Sequence, residues 1–235
     1  MDAGRSATLR SGRRFRASAR SNPMAYDIRQ EAILKAAAAL FATKGYERTS
    51  IRDIARAARM SVAGLYYYVR SKEELLYRIC DRSFSVILDT LERELARTPD
   101  PQARVRVLIR NHLEHFLHHM NEIKVMTREL GALREPHATD IGALRRRYYA
   151  ICRDVLAGLG SSVVSPRLAA MSLFGMINWI QMWYRPGVDG GADTLAEGMA
   201  SIFLDGYART RGEGDGRRDE GDRVQREWAG REDRP

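Results

Sequence analysis

The chain has 235 residues, 44% of them hydrophobic and 29% charged, which suits one medium domain or a small domain joined to a larger one with a sizeable core. Its formal net charge of +9 favours a polyanionic partner. No apolar run reaches the roughly 18 residues of a membrane span, and Cys80 and Cys152 lack metal or redox spacing, so the sequence reads as a soluble cytoplasmic protein with reduced core thiols.

The charge is unevenly placed. Residues 1–26 hold six arginines against Asp2 alone, and residues 1–25 are expected to form a disordered basic arm. The same Arg- and Ser-rich composition fits an organelle transit peptide, and Met24 offers an alternative start. Residues 211–235 mix glycine with seven basic and eight acidic residues and read as a disordered tail, in which Trp228 is an isolated aromatic.

Between the two ends nothing reads as a strand. Ile28, Ala32, Ile33, Ala36, Ala37, Leu40 and Phe41 recur at helical spacing in a first helix that Gly45 stops. A second helix of about three turns follows, with Ser50 and Asp53 as a capping box and Ile54, Ala55 and Ala58 facing inward. Ser61 caps a third helix carrying Tyr66, Tyr67 and Tyr68, and Ser71 with Glu74 opens a fourth, from Lys72 to about Arg97. Further helices are expected near 101–119, 121–133, 138–159, 165–184 and 191–210.

Two short helices joined by a tight turn and leaned on by a longer one form a helix-turn-helix. The run "YERTSIRDIARAARMSVAGLYYYVRSKEELL" resembles the DNA-binding region of the TetR family of bacterial transcriptional repressors. With the first helix included, the resemblance covers about 50 residues. It implies an all-α fold with an N-terminal three-helix DNA-binding domain, residues 26–71, and a C-terminal helical ligand-binding and dimerisation domain, residues 72–210.

Leu65 and Val69, four apart, are placed to seal the third helix onto Ile54 and Met60, which turns Ser61, Ala63, Gly64 and Tyr67 outward. By resemblance Ser61, Val62, Ala63 and Gly64 face the major groove, with Ser50, Arg52, Tyr66, Tyr67, Tyr68 and Lys72 toward phosphate or flanking bases. Arg59 and Val69 depart from the family pattern, which has glycine near the first position and phenylalanine at the second. An arginine with left-handed backbone costs about 1 kcal/mol.

In the second half, "RLAAMSLFGMINWIQMWYRPG" is apolar nearly all round and must be covered on more than one side. With the stripe Leu195, Met199, Ile202, Phe203 and Gly206 it suits a four-helix seam with a second copy, the family's route to a homodimer. The plainer reading is a buried central helix in a monomer. The run "NWIQMWYRPG" also resembles a branch of the family whose members respond to acyl-CoA thioesters. That resemblance implies a small-molecule effector slot drawn from His112, Phe116, Met126, Leu130, Tyr148, Tyr149, Phe174, Asn178, Trp179 and Trp183, with Arg145, Arg146, Arg147 and Arg185 available to phosphates. Most of these residue types at helical spacing also suit ordinary core or solvated surface. His112, His115 and His119, with Glu122, share one helix face, but no cysteine accompanies them, so a pocket lining is favoured over a metal site and no cofactor is expected.

The function expected is a ligand-responsive repressor on a palindromic operator. The alternatives are a nonspecific architectural DNA binder using the basic arm, a regulator of drug or aromatic-compound response, and an enzyme. No GxSxG, Walker, HExxH or dinucleotide-loop motif supports the last.

Overall fold

The computed structural model describes residues 23–160 and 164–209; most of the expected arm and the whole tail with Trp228 lie outside the described residues. All regular elements among the described residues are helical. Helix α1, Pro23–Lys44, starts on a proline, whose missing N–H costs nothing in a first turn. Residues 23–25, placed by the sequence in the arm, are therefore helical. Ile33, Ala37, Ala38 and Phe41 are buried, but Ile28 is 65% exposed. The inward stripe starts late because α1 has 22 residues, about 33 Å, while α2 (Ile51–Ala57) and α3 (Val62–Tyr68) have 7 each, about 10 Å. Gly45 ends α1 at φ +86°, its N–H bonded to the Phe41 carbonyl at 3.0 Å.

The capping box of α2 is complete: the Ser50 hydroxyl accepts the Asp53 N–H at 3.1 Å and the Asp53 carboxylate accepts the Ser50 N–H at 3.1 Å. The turn into α3 is a Schellman motif, with Arg59 N–H on the Arg56 carbonyl at 3.1 Å and Met60 N–H on that of Ala55 at 2.9 Å. Arg59 occupies its left-handed position at φ 53°, where the family pattern has glycine. Helix α4, Lys72–Leu95, is capped by Ser71, which accepts the Glu74 N–H at 3.0 Å. Glu74 in turn accepts the Arg70 N–H at 2.5 Å and pairs with Arg78 at 2.6 Å.

The chain divides into two compact units. Among the described residues, the first takes 23–80 with 124–138, against the expected 26–71. Its core joins Ile33, Ala37 and Phe41 to Ile54, Ala55, Leu65, Val69, Leu75, Leu76 and Ile79, with Val125 and Leu133 from the later segment. That segment is tied to α4 by Glu73, which accepts the Arg134 N–H at 2.9 Å, and by the Tyr77 and His137 rings stacked at 4.1 Å. Helix α6, Met120–Arg128, is shorter than expected. It gives way to one 3-10 turn, Leu130–Ala132, around Gly131, a poor helix former.

Among the described residues, the second unit holds 81–123 and 139–209. Helix α5 (Pro101–His118) packs on α8 (Pro166–Asn178) and α10 (Ala192–Arg209), while α7 (His137–Ala157) supplies Tyr148, Cys152, Val155 and Leu156 to the core. The single helix expected over 165–184 is interrupted. At Trp179 the backbone stays right-handed, but Met182 N–H reaches the Trp179 carbonyl at 2.9 Å, a tightened turn that sets off α9, Ile180–Trp183. No described helix is long and apolar enough to cross a membrane.

Candidate functional site

In the first unit α3 is held down by Leu65 and Val69, 0% and 2% exposed, and everything else on its surface follows from that anchoring. Ser61, Val62 and Ala63 are exposed and Gly64 is half-buried, so the small residues lie together on the outward face. A Cβ on Gly64 would sit 3.1 Å from the Ser61 hydroxyl and 3.6 Å from the Met60 methyl. Tyr66 and Tyr67 are exposed and Tyr68 is half-buried, the fan that a helix imposes on three neighbours.

Sequence reasoning missed Tyr26. Its ring stacks on Tyr68 at 4.9 Å and meets Tyr67 edge-on at 6.1 Å, and it is more than 40 positions away, beyond the reach of any local pattern. Arg52 is exposed. Ser50 spends its hydroxyl on Asp53, whose carboxyl is held below the usual range first by that hydroxyl. Lys72 is likewise occupied: its Nζ donates to the Tyr46 carbonyl at 2.9 Å and lies 4.1 Å from the Tyr46 ring centroid.

A second polar centre lies inside the other unit. His112 is 6% exposed; its Nε2 is 3.1 Å from the Asn178 Oδ1 and its Nδ1 is 2.9 Å from the Tyr148 hydroxyl. With Asn178 presenting its oxygen, His112 donates from Nε2 and accepts the Tyr148 proton on Nδ1. Tyr148 also bonds Cys152. Burial pushes His112 down to about 4, partly opposed by the Asn178 bond, and pushes the Tyr148 and Cys152 groups up, so all are neutral at pH 7. The Phe116 ring stacks on His112 at 5.2 Å, and Phe174 lies 6.3 Å from His112 and 6.5 Å from Tyr149.

Met126 and Leu130 belong to the first unit. Trp179 and Trp183 line a groove of about 620 Å³ with Gly175 and Met176 of α8 and Leu195, Met199 and Ile202 of α10. Arg185 is exposed in the turn after α9, its N–H on Asp189 at 2.6 Å. Of the other histidines, His115 bonds Ser83 at 2.8 Å, and the His119 ring is 4.6 Å from that of His115.

Residues 33–79 match the family model for bacterial regulatory proteins of the tetR family, and residues 98–207 match the tetracyclin repressor-like C-terminal domain. A TetR-family transcriptional regulator from Bordetella parapertussis 12822 shares 33% identity at a TM-score of 0.72, over 77% of this chain and 96% of that one. The chain belongs to the TetR family. Another TetR-fold neighbour is AibR in complex with isovaleryl coenzyme A and operator DNA, 28% identical at a TM-score of 0.66, over 74% of this chain and 97% of that one. Among curated proteins, the transcriptional repressor KstR2 of Mycobacterium tuberculosis is 28% identical over 77% of this chain and 94% of its own length. This TetR-family chain is thus a DNA-binding transcriptional regulator, with α2 and α3 as its helix-turn-helix.

Proposed function

We propose that this protein is a dimeric repressor acting in the cytoplasm, which holds a palindromic operator through two copies of α3 and releases it when a small molecule binds among α5, α7 and α8. The outward face of α3 carries the DNA half of this reading: small residues Ser61 to Gly64 admit close approach to base edges, with the exposed phenols of Tyr66 and Tyr67 beside them for phosphate. Arg52 lies on the exposed side of α2. Lys72, at the start of α4, adds positive charge where free backbone N–H groups already favour an anion.

The groove supports the dimer. Leu168, Met171, Trp179, Met182, Trp183 and Ile202 are 40–69% exposed, a load of large apolar side chains that marks an interface. Trp179 and Trp183 therefore serve the seam in this reading, and the effector slot contracts to His112, Phe116, Tyr148, Tyr149, Phe174 and Asn178. An acyl-CoA thioester is the favoured effector, supported by the AibR complex. Arg145, Arg146 and Arg185 are exposed and free to meet its phosphates, whereas Arg147 is paired with Glu92 at 2.7 Å.

Titration of the full chain against DNA fragments from its own genomic neighbourhood tests the reading. One fragment is expected to bind with strong salt dependence and far above its scrambled control. Equal affinity for both would favour the architectural alternative.

A further inference from the structure

The polar centre around His112 has a chemical character that narrows what can enter it. The hydrogen-bonding and ring partners of His112, Tyr148 and Asn178 are all uncharged: each other, Cys152, Phe116 and Phe174. One turn beyond Asn178, the Oε1 of Gln181 is buried with no hydrogen-bond partner. An unsatisfied buried acceptor is costly and calls for a donor. The right-handed backbone through Trp179 keeps Asn178 and Gln181, three residues apart, on the same side.

We propose that His112, Tyr148, Asn178 and Gln181 read the buried end of the effector, and that this end is an uncharged carbonyl or hydroxyl on an apolar skeleton. The proposal rests on the effector-responsive reading above. A carboxylate or phosphate placed here would lose its hydration and find no cation. A carbonyl can accept from Nε2–H of His112 once Asn178 yields it, and a hydroxyl can in addition donate to Gln181. An alcohol satisfies both His112 and Gln181, a ketone or thioester satisfies the His112 donor alone, and the corresponding carboxylate has neither a donor for Gln181 nor a cation to meet. Because Asn178 is the last residue of α8, occupation redraws a bond at the joint between α8 and α9, next to Trp179 and Trp183 on the groove.

The test uses the full chain and two matched probe sets, 2-octanone, 2-octanol and octanoate, and acetophenone, 1-phenylethanol and benzoate, titrated at pH 7.5 by calorimetry and thermal shift. At least one ketone or alcohol is expected to bind and raise the Tm, with its matched acid silent. Gln181→Leu is expected to weaken alcohol binding roughly ten-fold or more, whereas Asn178→Leu, which frees the His112 N–H, is expected to tighten ketone binding. Gln181→Leu removes no internal bond of the Oε1 atom, so it keeps the test open if His112 or Asn178 variants fold poorly. Acid and ketone binding alike, no probe binding, or unchanged affinity in both Leu variants would overturn the proposal. Release of bound operator DNA by a different ligand class, with these probes silent, would overturn it while leaving the effector reading intact. Absence of any sequence-selective DNA binding would remove the repressor reading, and the probe titrations, which need no DNA, would still decide this one.

Discussion

Tyr67 and Ala63 lie on the same outward helix surface yet are expected to fail differently. Tyr67→Phe removes the hydroxyl proposed to meet phosphate and is expected to weaken binding about five-fold across all DNA sequences, the worth of one hydrogen bond of about 1 kcal/mol. Ala63→Gln puts a hydrogen-bonding group against the bases and is expected to change which sequence is preferred. Binding arrays on variant operators check both; a changed sequence preference in Tyr67→Phe would mean the two contacts are assigned to the wrong residues. Arg59 makes a separate prediction. It sits at φ 53° in the Schellman turn and is exposed, so Arg59→Gly is expected to stabilise the fold by about 1 kcal/mol, read as a higher denaturation midpoint. A lower midpoint would show that the arginine side chain contributes more than its backbone strain costs.

Helix α5 carries the pH dependence of the second unit. His112 titrates at about 4 in the folded chain against an ordinary 6.5, and His115 is pushed down to about 3 by burial and by the neighbouring histidines. Below pH 6.5 the unfolded chain takes up protons that the folded chain refuses, so stability present above 6.5 is lost as pH falls toward 4. The His112 share is about 3 kcal/mol, at about 1.4 kcal/mol per pH unit. His112→Gln is expected to flatten the stability profile over that range; an unchanged profile would contradict a buried neutral imidazole. Much of the helical order was legible, because caps are local chemistry: Ser50 with Asp53, Ser61 and Ser71 each bond within three residues in sequence. The α8–α9 interruption at Trp179 was not legible, since its apolar pattern runs on unbroken. Nor were Tyr26 over Tyr68, or Gln181 as an unpaired acceptor, because long-range contacts leave no trace in local spacing. The tryptophans show the same limit: aromatic residues at helical spacing fit a slot or a seam equally, and their place on the groove between α8 and α10 is set by tertiary packing.

At the scale of the whole molecule, the proposed dimer covers the exposed apolar surface of α8, α9 and α10 with a second copy. Ile202, 69% exposed beside the groove, is the place to interrupt it. Ile202→Glu is expected to give a monomer in sedimentation and to abolish tight operator binding, with helicity retained; a full dimer would contradict the seam. A two-fold dimer presents α3 twice, which demands two inverted half-sites about 34–36 Å apart, one turn of the duplex. The most direct measurement is selection from random-sequence DNA by the purified full chain at physiological salt. The expected result is an enriched palindrome with half-sites centred about one helical turn or a multiple of it apart. Bound DNA with no shared motif, or a single unrepeated half-site, would contradict a dimeric sequence-reading repressor.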